Sequence, residues 1–78
     1  MFYVYILRSV KSGVLYTGMA IDVEARLKEH NIGKSRFTKG HMPWKLLYLE
    51  GPFPRIEARK REKQLKRTEE KQRVLSQL

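Results

Sequence analysis

The sequence contains no cysteine. That absence excludes a disulfide framework, a thiolate nucleophile and any zinc or iron–sulfur centre held by thiolates. Acidic side chains are scarce as well: eight Asp and Glu stand against seventeen Lys and Arg, a net charge of +9 in 78 residues. So strong a bias in a short chain points to a polyanionic partner. No apolar run approaches the ~20 residues needed to cross a bilayer. The one at the start, Met1 to Leu7, has no positive segment before it and ends at Arg8, unlike a secretory signal. The expectation is a soluble, cytoplasmic protein with no membrane role. What is present argues for a folded chain, since hydrophobic residues make up 41% and Trp44 is joined by four Tyr and three Phe. At this length a second independent core is excluded, because small domains bury only about 60% of the surface their unfolded chains expose. One domain over residues 1–78 is expected.

Phe2 to Val10 and Val14 to Met19 are rich in aromatic and β-branched residues and are separated by Lys11-Ser12-Gly13, which reads as a β-hairpin. Pairing Lys11 with Val14 across a two-residue loop sets Tyr16 opposite Ser9. Any register whose paired numbers sum to an odd value puts Tyr5 and Tyr16 on one face; an even sum separates them. Asp22 is a good N-cap, Val23 and Leu27 lie four apart, and Gly33 terminates, so a helix is expected from about Val23 to Asn31. Lys34 to Pro43 carries Lys34, Arg36, Lys39 and His41 and reads as a basic loop. Trp44 to Glu50 reads as a third strand, central or well covered. From Pro54 onward helix formers dominate, predicting helices over Arg55 to Arg67 and Glu69 to Ser76. The order is ββαβαα, an α+β class.

Charge is uneven along the chain. Residues 1–33 hold four basic and three acidic side chains, residues 34–50 four and one, and residues 51–78 nine and four. The electropositive surface therefore lies on the loop and the last helices. Three features resist a purely structural account. Glu62 lies four residues after Ala58 and three before Leu65, so a carboxylate falls on the apolar stripe of its helix and must be paired, protonated or bound to a cation. An i, i+4 pair with Lys66 is the structural alternative. Arg26 and His30, also four apart, share a helix side and suit phosphate recognition and proton movement near neutral pH. Tyr5 and Tyr16 are single aromatics that a sheet would explain, and only their assembly with the others suggests chemistry.

These blocks resemble the GIY-YIG nuclease superfamily, in particular its small stand-alone bacterial members. Tyr3-Val4-Tyr5-Ile6-Leu7 matches the Tyr-Val-Tyr-Ile-Leu start of many small members, although Val4-Tyr5-Ile6 departs from the letters Gly-Ile-Tyr. Tyr16-Thr17-Gly18 stands for Tyr-Ile-Gly. Asp22, Arg26 and His30-Asn31 follow in order, and Glu57-Ala58 with Arg61-Glu62-Lys63-Gln64-Leu65-Lys66 resembles the family's second helix. The resemblance runs from about residue 2 to 68. Met19-Ala20-Ile21 departs from it, since Thr is more usual near position 20.

The resemblance implies a three-stranded antiparallel sheet flanked by helices and hydrolysis of phosphodiesters with one divalent ion, Mg²⁺ or Mn²⁺. It assigns the metal to Glu62, charge on the scissile phosphate to Arg26, water activation to Tyr16 or Tyr5, and proton transfer or phosphate contact to His30. An unperturbed phenol near pKa 10 is only about 0.1% ionised at pH 7, so a cation such as Arg26 or Lys34 is expected to lower it. Lys34, Arg36, Lys39, Arg59, Lys63 and Lys66 are the expected nucleic-acid contacts. The implied substrate is DNA, cut by structure or with low sequence specificity in repair or recombination. Substrate choice then comes either from shape or from a protein partner. The alternative is a basic nucleic-acid-binding module that keeps the fold without cleaving.

Overall fold

Phe2–Ser9 and Leu15–Ala20, the segments richest in aromatic and β-branched residues, form strands β1 and β2. The fold described here is a computed structural model covering residues 1–78. Helix α1 spans Val23–Asn31, α2 Arg36–Lys39, strand β3 Trp44–Phe53, α3 Arg55–Leu65 and α4 Thr68–Leu75. The three antiparallel strands lie in the order β2-β1-β3. The expected α+β class and order hold, with α2 as an added turn of helix inside the stretch read as a loop.

Tyr5 pairs with Gly18 and Leu7 with Tyr16, so the numbers sum to 23. The odd parity holds, and Tyr5 and Tyr16 share a face. The register itself differs from the expected sum of 25, because Ser9 closes a longer turn. Its amide donates to Val14 O (2.9 Å), its carbonyl accepts from Gly13 N (2.8 Å), and its Oγ accepts from Ser12 N (2.9 Å). The third strand also departs from expectation: β1 is central and β3 an edge strand that runs on through Gly51-Pro52 to Phe53. Two register shifts against β1 make this fit. At the first, Gly51 has φ +125°, and a Cβ there would lie 3.0 Å from Phe2 O, so glycine lets the two backbones close. The second shift, near Leu47, puts Trp44, Leu46 and Leu49 on the face of Tyr5.

Even-numbered β1 residues face α3 and α4. Val4 and Ile6 are fully buried with Ala58, Leu65 and Val74, and Leu15, Met19 and Leu47 pack around them. Odd-numbered residues Tyr5 and Leu7 form a second cluster with Trp44, flanked by Tyr16, Val23 and Leu27. On the first side Arg61 donates to Glu50 Oε1 (2.5 Å) and Glu70 Oε2 (2.5 Å), tying α3 to β3 and α4, while Tyr48 donates to Glu50. No helix is long and apolar enough to cross a membrane.

Candidate active site

Helix α1 starts where expected because Asp22 Oδ1 accepts from Ala25 N (3.0 Å). Its far end is fixed by Asn31, whose side-chain amide donates to Trp44 O (3.0 Å) and accepts from Trp44 N (2.6 Å). Both ends being set, Arg26 and His30 are carried over the odd face of the sheet. His30 is fully buried there, with its ring edge-on to Tyr16 at a centroid distance of 4.9 Å. Its Nε2 lies 3.3 Å from Tyr5 Oη and its Nδ1 2.9 Å from Thr38 Oγ1.

The two tyrosines are not equivalent. Tyr5 is 1% exposed, whereas Tyr16 is half-buried and its ring stacks on the exposed Phe37 (6.0 Å). Tyr5 reaches its place only because Gly18, its partner on β2, has no side chain: a Cβ there would sit 2.6 Å from Tyr5 Oη and 2.8 Å from Cζ.

Electrostatics separate the groups further. Burial, and then the neighbouring Tyr16, push the Tyr5 phenol up to about 12, with Glu62 adding in the same direction; the Arg26 guanidinium works the other way and does not prevail. The cation-driven lowering expected from sequence is therefore reversed at Tyr5 by the protein's own groups, because desolvation penalises the phenolate. Burial and the nearby Arg26 hold His30 below its ordinary value, with Glu29 opposing, so the imidazole is neutral at pH 7. Arg26 itself is raised, chiefly through its hydrogen bond to Glu29 Oε1 (2.7 Å).

Tyr5, Tyr16, Arg26 and His30 thus converge on one face. Glu62 enters from α3, the helix that covers the other face; its side chain is 17% exposed and pairs with Lys66 Nζ at 3.8 Å. The i, i+4 pair weighed as the structural alternative is present, while the influence of Glu62 on Tyr5 links it to the cluster. No group of three or more His, Cys, Asp or Glu is gathered to hold a metal. A lone carboxylate does not suit Zn²⁺, which takes three or four protein ligands, but it suits Mg²⁺, which keeps several waters.

Lys34, Arg36, Lys39, Arg59, Lys63 and Lys66 are all exposed. Arg59 and Lys63 line a shallow groove on α3 with Arg55, Ile56 and Lys60, Lys66 caps the end of that helix, and Lys34, Arg36 and Lys39 flank Phe37 in sequence. Thr38, which touches His30, was not legible from the sequence. Nothing local distinguishes it from any other threonine in a polar stretch.

The family model of the GIY-YIG catalytic domain matches residues 1–74. A UPF0213 protein of Syntrophus aciditrophicus is 43% identical over 67 residues, covering 83% of this chain and 76% of that protein. Another, from Staphylococcus epidermidis, is 45% identical over 65 residues, covering 82% and 78%. The solution NMR structure of a UPF0213 protein from Bacillus halodurans superimposes with a TM-score of 0.58 at 35% identity, covering 97% of this chain and 84% of that one. With this fold, the two strand motifs and the helix motifs in register, the chain belongs to the GIY-YIG catalytic-domain family.

Proposed function

We propose that this chain is a metal-dependent endonuclease that hydrolyses phosphodiester bonds in DNA and selects substrates by shape more than by sequence. The observation that carries this reading is the convergence of Tyr5, Tyr16, Arg26 and His30 on one sheet face, within electrostatic reach of Glu62. Glu62 would hold Mg²⁺ or Mn²⁺ through its carboxylate, giving up its weak pair with Lys66. When bound, the ion supplies Lewis-acid stabilisation of phosphate charge and a more acidic water.

The remaining work falls to the chain. Tyr16, whose ring faces solvent, orients the attacking water and, once its own proton has been lost to solvent, accepts the water's proton as the phenolate. Tyr5 is too buried to meet bulk solvent and holds the hydrogen-bonded row behind it. Arg26 turns from Glu29 to the scissile phosphate, where a guanidinium fixed before reaction stabilises the charge that develops. His30, kept neutral, completes the row through Tyr5. Arg59 and Lys63 on α3 and Lys34, Arg36 and Lys39 beyond α1 engage flanking phosphates, with Lys66 joining them once Glu62 is engaged. A role in repair or recombination in the cytoplasm, with a protein partner supplying further selectivity, fits this chemistry.

The Glu62–Lys66 contact is the one feature that favours a non-catalytic binding module. It is a surface pair at 3.8 Å with Lys66 largely exposed, a kind that contributes about 0–1 kcal/mol at most. A panel of single-stranded, duplex, nicked, flapped and four-way-junction DNA, incubated with Mg²⁺, Mn²⁺ or EDTA, decides between them. Metal-dependent cutting that falls at least about a hundredfold in Glu62→Gln, with affinity retained, is the expected result. Tight binding without cutting under any metal would support the binding module instead.

A further inference from the structure

Thr38 lies on a four-residue helix whose other members, Arg36, Phe37 and Lys39, are exposed, yet Thr38 is completely buried. Its carbonyl accepts from Trp44 Nε1 (2.9 Å), which pins the helix to the start of β3. Its hydroxyl has one partner, His30 Nδ1, at 2.9 Å. A hydroxyl carries one proton, and a buried proton without an acceptor is costly. Neutral imidazole also carries one proton. If Nδ1 held it, the Thr38 proton would be left without a partner; if Nε2 holds it, Thr38 donates to Nδ1 and Nε2–H points at Tyr5 Oη, 3.3 Å away.

We propose that Thr38 is a positioning residue of the site: its buried hydroxyl fixes the His30 proton on Nε2, so that hydrogen bonds run from Thr38 to His30 to Tyr5. Tyr5 Oη then accepts from inside the protein, and its own O–H is free for an acceptor on the site side, where Tyr16 on β2 and Glu62 on α3 face it, while Arg26 on α1, which can only donate, faces its oxygen. Run the other way, the Tyr5 proton would be spent inward on His30. Thr38 thus decides whether Tyr5 offers a donor to the site. The kinetic consequence rests on the nuclease reading; the direction of the hydrogen bonds does not.

The test joins ¹⁵N NMR of the His30 ring with cleavage kinetics on the full chain, using wild type, Thr38→Val and Thr38→Ser. In wild type the proton is expected on Nε2, with Nδ1 bare and accepting a hydrogen bond. In Thr38→Val, which keeps the shape and loses the hydroxyl, Nδ1 should move towards the shift of a nitrogen with no donor. There kcat should fall about tenfold or more, with KM for DNA within about twofold. Thr38→Ser should restore both readouts, with kcat within about threefold of wild type. A wild-type proton on Nδ1, a wild-type kcat in Thr38→Val, or no rescue by Thr38→Ser would overturn the proposal. If wild type cuts no DNA, the nuclease reading fails, and the wild-type NMR spectrum alone decides for or against Thr38. That spectrum needs no variant to fold.

Discussion

Thr17 and Gly18 are neighbours on β2, yet they look into two different interiors. Thr17 faces the side packed by α3 and α4, where Val4, Ile6, Ala58, Leu65 and Val74 make an apolar core, and its buried hydroxyl finds no hydrogen-bond partner. Gly18 faces the side under α1 and α2, where buried polar atoms are partnered: His30 meets Tyr5 and Thr38, and Trp44 meets Thr38 and Asn31. The first face stabilises mainly by excluding water, with its charged groups Arg61, Glu50 and Glu70 paired and partly exposed. The second invests burial in holding polar groups at set distances, a cost that a structural role alone does not explain. One three-stranded sheet thus has most of the apolar core on one side and Tyr5, Tyr16, Arg26 and His30 on the other, with Glu62 reaching the cluster from α3 on the apolar side.

That division can be broken at three places. The largest effect is expected at Gly18→Ala. The added methyl would press on a Tyr5 ring that is itself buried, so the ring must move away from His30, with a loss of about 1–3 kcal/mol in urea unfolding and a fall in cleavage. Unfolding unchanged from wild type would mean that Tyr5 is not held there. A smaller effect follows from pH. His30 lies below its ordinary value when folded, so on acidification the unfolded chain takes up a proton first. Stability is therefore full above about pH 6.5, the ordinary histidine value, and declines as pH falls below it. The urea midpoint should drop between pH 7 and pH 5.5, and the drop should shrink in His30→Gln. An equal drop in that variant would place its origin elsewhere. The smallest effect belongs to Thr17→Val, which removes an unpartnered hydroxyl from the apolar side. It should leave stability unchanged or raise it by up to about 1 kcal/mol and leave cleavage alone. A marked destabilisation there would show that the hydroxyl has a partner in solution.

Local signals carried the sequence reading far. Helix α1 was legible to the residue because its cap, Asp22, acts on Ala25, three positions away. The shared face of Tyr5 and Tyr16 was legible because parity survives a register shift of two, although the turn at Ser9 is longer than the two-residue loop expected. Arg26 and His30 were legible as a pair because helical spacing alone puts them side by side. What was missed depends on contacts across the chain. The edge position of β3 rests on two register shifts against β1, one enabled by Gly51, and a run of leucines gives no hint of either. Thr38 gains its meaning only when α2 folds against a histidine eight residues earlier. The upward shift at Tyr5 comes from burial, which a charge count cannot foresee.

In the proposed mechanism Tyr16 is the residue of the polar face that acts on the attacking water. Single-turnover cleavage by Tyr16→Phe, measured beside DNA affinity and thermal unfolding, tests it most directly. The rate should fall by about 10²–10⁴-fold with affinity and unfolding near wild type, since only the phenolic oxygen is removed. A variant that cuts at the wild-type rate, or one whose loss of rate is matched by equal losses in affinity and stability, would contradict it.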